Sequence, residues 1–215
     1  MVNEFLMGVL SSLAATGLTV TLAVLWSGRF RWLLIRAVSR LTRGDFGQTW
    51  PTKVEADEDF RRELARARRV DLLTGRGNEL QRDTFAPLLA AAGTTGRQVR
   101  LLLPCTGTGQ DARWTTDREA ELATFDRSHG SGLLHTQIET NVAFVAPYTS
   151  AGTIELRRFD APHIGRVCLT ERAAYFTPYS AHEHGRHCAV VKYPVSSPMY
   201  RTLERIFAKT WESST

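Results

Sequence analysis

Ionisable side chains are absent from Phe5 to Trp26, where FLMGVLSSLAATGLTVTLAVLW offers only Ser and Thr as polar members. As a helix rising 1.5 Å per residue the run spans about 33 Å, enough to cross a hydrocarbon core. The hydroxyls can bond back to the preceding turn, and Gly8 and Gly17 are ordinary residues in membrane helices. Glu4 precedes the run and no Lys or Arg does, so the basic start of a signal peptide is missing, and the stretch is too long for one. Cysteine is scarce too. Cys105, Cys168 and Cys188 are scattered and odd in number, which excludes a disulfide framework and fits a reducing cytoplasm. Internal repeats and low-complexity tracts are absent as well.

Acids are missing from the next stretch. Arg29, Arg31, Arg36, Arg40 and Arg43 all come before Asp45, and positive flanks stay on the cytoplasmic side. Residues 1–28 are therefore expected to be a single-pass anchor in the inner (plasma) membrane, N-terminus outside and the rest cytoplasmic. The whole chain has 27 Lys and Arg against 22 Asp and Glu, a net charge of +5. The five arginines after the run account for a charge of that size, so the remainder is close to neutral. That balance points to the lipid bilayer and its anionic headgroups as partner, with no nucleic acid expected. Residues 29–53 read as a basic juxtamembrane segment and a linker. Phe30, Leu34, Ala37, Val38 and Leu41 oppose the arginines on a helical wheel, which suits a helix lying in the headgroup layer or a continuation of the span. GDFGQTWPTK, Gly44 to Lys53, carries the Gly, Pro and polar residues of a linker.

Residues 54–215 read as one α/β domain with a mixed sheet flanked by helices. EADEDFRRELARARR starts acidic and ends basic, the order a helix dipole favours. VDLLTG and QVRLLLP are buried-type strands around a helix spanning Glu79 to Gly93, a βαβ unit with a parallel pair. Pro87 kinks that helix or marks its true first turn. CTGTGQDARW, at the end of the second strand, lacks the G-K-[ST] of a phosphate loop. A helix opens at Thr116, and another is expected through Asn141 with a turn at Pro147. TIELRRFD, GRVCLTE, AAYFTPY and CAVVKYP have strand length and β-type residues, and Glu171-Arg172 makes a tight hairpin of the middle two. SPMYRTLERIFAKTWES closes the chain as a capped helix with Tyr200, Leu203, Phe207 and Trp211 along one stripe.

This order, carried by QVRLLLP, IELRRFDAPHIGRVCLTERAAYFTPY and SPMYRTLERIFAKTWE over about residues 70 to 212, resembles the phospholipase D-like superfamily. It is most similar to a degenerate branch found in actinobacterial proteins. The resemblance implies a phosphodiester pocket built on H-x-K-x-x-x-x-D, whose His is the nucleophile and whose Lys binds phosphate. His163 matches the His, but Gly165 stands where the Lys belongs and Thr170 where the Asp belongs. Arg166 and Glu171 are each one place late. Active members also need two such motifs facing each other, and this chain holds at most one. Without the ammonium the transferring phosphoryl group lacks its main stabiliser.

AHEHGRHC puts His182, His184, His187 and Cys188 between two strands, but H-x-H-x-x-H-C is not a zinc-ligand spacing. No metal and no cofactor are expected. The candidate ligand-pocket residues are His163, Arg166, Glu171, His182, His184 and His187, and the candidate membrane-surface residues are the five arginines named above. The expected function is a membrane-anchored cytoplasmic binding or sensor module with a degenerate, non-catalytic pocket for an unidentified ligand or protein partner. Two rivals stand beside it: a membrane-tethered phosphodiesterase or phospholipase acting as a homodimer through His163, and a structural membrane protein whose soluble domain only oligomerises.

Overall fold

The computed structural model describes residues 16, 17, 19, 28–42, 44–82, 85, 89, 96–107, 112–126, 130–162, 165–180 and 182–215. Most of the Phe5–Trp26 run, together with Arg43 and His163, lies outside the described residues. Among the described residues no helix is long and apolar enough to cross a membrane.

In chain order come α1 (Gly28–Thr42), β1 (Gln48–Trp50), α2 (Lys53–Arg66), β2 (Arg69–Leu73), a 3-10 turn (Asn78–Gln81), β3 (Gln98–Pro104), α3 (Arg113–Phe125) and α4 (Leu133–Ser150). Then follow β4 (Glu155–Phe159), β5 (Gly165–Thr170), β6 (Ala173–Pro178), β7 (Val190–Pro194) and α5 (Pro198–Glu212). The strands form one mixed sheet in the order β1-β7-β6-β5-β2-β3-β4. β2, β3 and β4 run parallel, while β5, β6, β7 and β1 continue antiparallel from the other side of β2. The expected mixed α/β class, the parallel pair and the Glu171-Arg172 hairpin are all present.

The central strands read as continuous apolar runs because helices bury both faces. Leu72, Leu101 and Leu103 point to the face packed by Phe60 and Leu64 of α2 and by Leu134, Ile138 and Val145 of α4. Their neighbours Leu73 and Leu102 point the other way, onto Tyr200, Leu203, Phe207 and Trp211 of α5. The side-chain period of two sorts one apolar run into two cores. α5 starts where Ser197 Oγ accepts from the Met199 amide at 3.1 Å and Pro198 fills the first turn.

Three expectations need correction. The Gly44–Lys53 linker contains β1, whose Gln48, Thr49 and Trp50 pair with β7, since three residues at a sheet edge suffice to extend it. α4 runs through Pro147 to Ser150 instead of turning there. The hydrogen bond that proline removes would have gone to the carbonyl of Ala143, an exposed residue that water can satisfy. The helix expected over Glu79 to Gly93 opens as a 3-10 turn at Asn78–Gln81. Further on Leu89 is helical, its amide donating to the Phe85 carbonyl at 3.0 Å, and both are buried as anticipated; residues 83, 84, 86–88 and 90–93 lie outside the described residues.

A basic cleft at one end of the sheet

β2 delivers Thr74 to Glu79 at its carboxyl end, and because β5 runs antiparallel to it, Arg166 at the start of β5 arrives at the same end. The chain leaves β6 there at Tyr179, α2 begins there at Lys53, and α3 presents Trp114 and Arg118 one turn apart. The loop from β6 to β7 adds His184 to Arg186. These groups enclose a cavity of about 260 Å³. A site outside the carboxyl ends of parallel strands is the usual place in open α/β sheets.

Six cations, Lys53, Arg76, Arg82, Arg118, Arg166 and Arg186, line the cavity together with one acid, Glu79. Some of that charge is answered. Lys53 pairs with Asp57, Arg118 Nη1 donates to Glu121 at 2.6 Å, and Arg166 Nη1 lies 3.6 Å from Glu79 Oε1. Arg76 is held by neutral partners, donating to Gln137 Oε1 at 3.2 Å and lying 3.5 Å from His184 Nδ1. Among the described residues no carboxylate pairs with Arg76, Arg82 or Arg186. Burial pushes the Arg76 guanidinium below its ordinary value; Tyr179 opposes this, and the Arg118 charge adds to it. A half-buried guanidinium beside another cation is costly unless an anion joins it.

Glu79 shows the opposite imbalance. Burial alone would raise its carboxyl, but Arg166, a Thr74 hydrogen bond, its own backbone and Lys53 outweigh that and hold it below the usual range. It is therefore an anion, and its Oε1 is buried without a hydrogen-bond donor. The cleft thus offers several donors to a negative group and one acceptor to a donor.

Tyr179 and Trp114 form the wall. The Gly75 amide donates to Tyr179 Oη at 3.0 Å, and the Arg118 guanidinium lies 5.4 Å from the Tyr179 ring centroid. A Cβ at position 75 would stand 2.7 Å from the Trp114 ring and 3.2 Å from that of Tyr179, so glycine lets both rings close over the loop. His184 is oriented by Asp126, whose Oδ2 is 2.9 Å from Nε2, and by the edge of Phe125.

Of the residues singled out from sequence, Arg166 and His184 line the cleft and His163 lies outside the described residues. Glu171 sits at the opposite end of the sheet, accepting from the Arg68 and Arg69 amides at 3.2 and 3.3 Å. His182 and His187 are exposed, His187 Nε2 accepting from Arg186 Nε at 2.9 Å. Arg166 reaches the cleft without any slip of β5, because α/β topology turns that end of the strand inward. Gly165 is closed to a side chain: a Cβ there would come 2.6 Å from the Thr177 carbonyl oxygen and 3.0 Å from Pro178 Cα. Thr170 is buried at the far end of β5, bonded to Glu63 and Ala173. Sequence reasoning missed Lys53, Arg76, Glu79, Trp114, Arg118 and Tyr179. The signal for Arg76 and Glu79 was TGRGNE directly after a parallel strand; Arg118 looked like one more charge on a solvated helix.

No family model matches the chain, and no curated protein matches it. Among solved structures it is similar to that of TrmBL2, an archaeal chromatin protein described as showing a novel mode of DNA binding. The likeness has a TM-score of 0.45 at 12% identity and covers 99% of this chain and 67% of that chain. The exclusion of nucleic acid drawn from charge balance is corrected: it conflicts with the DNA binding described for this neighbour, and a near-neutral total does not prevent six cations from gathering in one cleft. At that TM-score the likeness carries no argument about what this chain binds.

Proposed function

We propose that this chain is a membrane-anchored, non-catalytic binding module that captures a phosphate-bearing ligand in the basic cleft. The observation that carries the reading is the convergence of six cations on one cavity with a single acid. Arg76, Arg82 and Arg186 supply charge that no carboxylate answers among the described residues, and a phosphate would offset the cost of gathering it. The orphaned Oε1 of Glu79 favours an ester that also carries a hydroxyl or amine donor, such as a sugar phosphate, over bare phosphate. The anchor rests on the uncharged Phe5–Trp26 run. The absence of turnover rests on Gly165, which leaves no room for the ammonium that the phospholipase D-like chemistry needs.

Thermal melting of the full chain in nanodiscs tests the reading, with inorganic phosphate, a sugar phosphate, sulfate and a short oligonucleotide as separate ligands. A ligand at a hundred times its Kd stabilises by about 2.7 kcal/mol. The sugar phosphate should raise the melting temperature most, and Arg76→Ala should abolish the rise. No shift with any anion would end the proposal. A rise with the oligonucleotide alone would replace the small ester by nucleic acid.

A further inference from the structure

α1 is turned the wrong way round for a helix that serves its own domain. Its inward side carries Trp32, packed against the core, and the buried Ser39, whose Oγ donates to the Gly44 carbonyl at 3.1 Å and receives Ser196 Oγ at 3.3 Å. Lys192 Nζ, itself buried, lies 4.2 Å from the Trp32 ring centroid. The large aliphatic residues point outward instead: Leu33, Leu34, Val38 and Leu41 are 59%, 48%, 37% and 84% exposed. At about 100° per residue these four share one stripe, and Arg31 and Arg40 fall on its two borders.

We propose that this outward stripe of α1 lies in the boundary between headgroups and acyl chains of a bilayer, seating the domain on the membrane in one fixed orientation. The inference rests on the anchored reading above and adds that the domain does not swing on a tether. Two features select a lipid surface as occupant. The uncharged run ends at Trp26, so its exit from the membrane leads straight into α1, which begins at Gly28. The bordering arginines suit an apolar stripe sunk into an anionic surface, stems along the apolar layer and guanidinium groups on the phosphates. A second copy fits less well. Gly28 to Thr42 contains no Asp or Glu, so two stripes pressed together would bring Arg31 and Arg40 of both helices to an interface with no acid from either helix. The seat is rigid because Trp32 and Ser39 tie α1 to β7 and the turn after it, and β1 continues the chain straight into the sheet.

The full chain is reconstituted in phosphatidylcholine–phosphatidylglycerol vesicles with a Cys105→Ser background, removing the half-exposed thiol. A bimane label is placed at Leu41→Cys or, as a reference, at Ser150→Cys beside β4, the opposite edge of the sheet from β1. Bromine atoms on the lipid acyl chains should quench the label at position 41 by about twofold or more and leave that at 150 unchanged, since an interfacial helix sinks its apolar side into the acyl boundary. Chain that floats with the vesicles while its label at 41 stays as bright as that at 150 overturns the seating and leaves the anchor standing. Failure to float overturns both. A blue shift at 41 without bromine quenching, growing with protein concentration, would assign the stripe to a second copy and overturn the lipid proposal.

Discussion

Lys192 Nζ lies 2.8 Å from Asp59 Oδ2 and at the same time 4.2 Å from the centroid of the Trp32 ring. One buried ammonium on β7 thereby holds α2 by an ion pair and α1 by a ring face, with Glu63 at 3.6 Å as a second carboxylate. Removing it would leave Asp59 only Arg62 at 3.6 Å and Glu63 only Arg172 at 2.8 Å as cations, and α1 without its clamp. Lys192→Ala is expected to cost about 3 kcal/mol or more, the usual result of breaking a buried pair from one side. Guanidinium unfolding of the detergent-solubilised chain measures this; a loss below about 1 kcal/mol would show the clamp to be idle.

Trp211→Ala probes the opposite face. The ring is buried against Phe207, and the guanidinium groups of Arg157 and Arg100 lie 4.7 and 5.3 Å from its centroid. Loss of core packing and both cation–π contacts is expected to cost about 3 kcal/mol, and Trp211→Phe distinctly less. Equal losses for the two variants would mean that ring area does not set the stability of α5.

Gly165→Lys restores the lysine of the phosphohistidine motif in sequence. In the structure its Cβ meets the Thr177 carbonyl and Pro178 Cα, backbone atoms that cannot step aside. Overpacking of that kind costs about 3 kcal/mol, and no hydrolysis of a bis(aryl) phosphate ester should appear. A stable variant that turns over this ester would overturn the closed-position argument.

Stability should fall in acid partly through the cleft. Glu79, against its burial, is held below the usual carboxylate range by Arg166, Thr74, its own backbone and Lys53; Glu139 is held low chiefly by the hydrogen bond from Arg158 at 2.7 Å. A depressed carboxyl contributes stability that is fully present above its unfolded pKa, about 4.3, and is lost as pH falls through the lower folded value. The denaturation midpoint should therefore drop as pH falls below about 5, and Glu79→Gln should flatten that drop. Parallel slopes for the two proteins would rule Glu79 out as a contributor.

Much of the fold was legible because it follows from local pattern. QVRLLLP gave β3 with its bounds, Ser197-Pro198 gave the start of α5, and the Tyr200–Trp211 stripe gave its buried face, since caps and periodicity act within a few residues. β1 was not legible, because three residues become a strand only when an edge such as β7 accepts them. Pro147 misled because a missing hydrogen bond costs little where the carbonyl it abandons faces water. The direction of α1 lay beyond sequence as well: an amphipathic wheel shows two sides but not which side meets the domain, and Trp32 on Lys192 decided that. The cleft was decided by topology. Lys53, Arg76, Arg118 and Arg166 stand far apart in the chain and on four different segments, each ordinary by itself. The sequence by itself determined most of the strands and helices and which runs are apolar; only the antiparallel return of β5 beside β2 brought those charges to one end of the sheet, because register and strand direction are set by long-range pairing that no local pattern encodes.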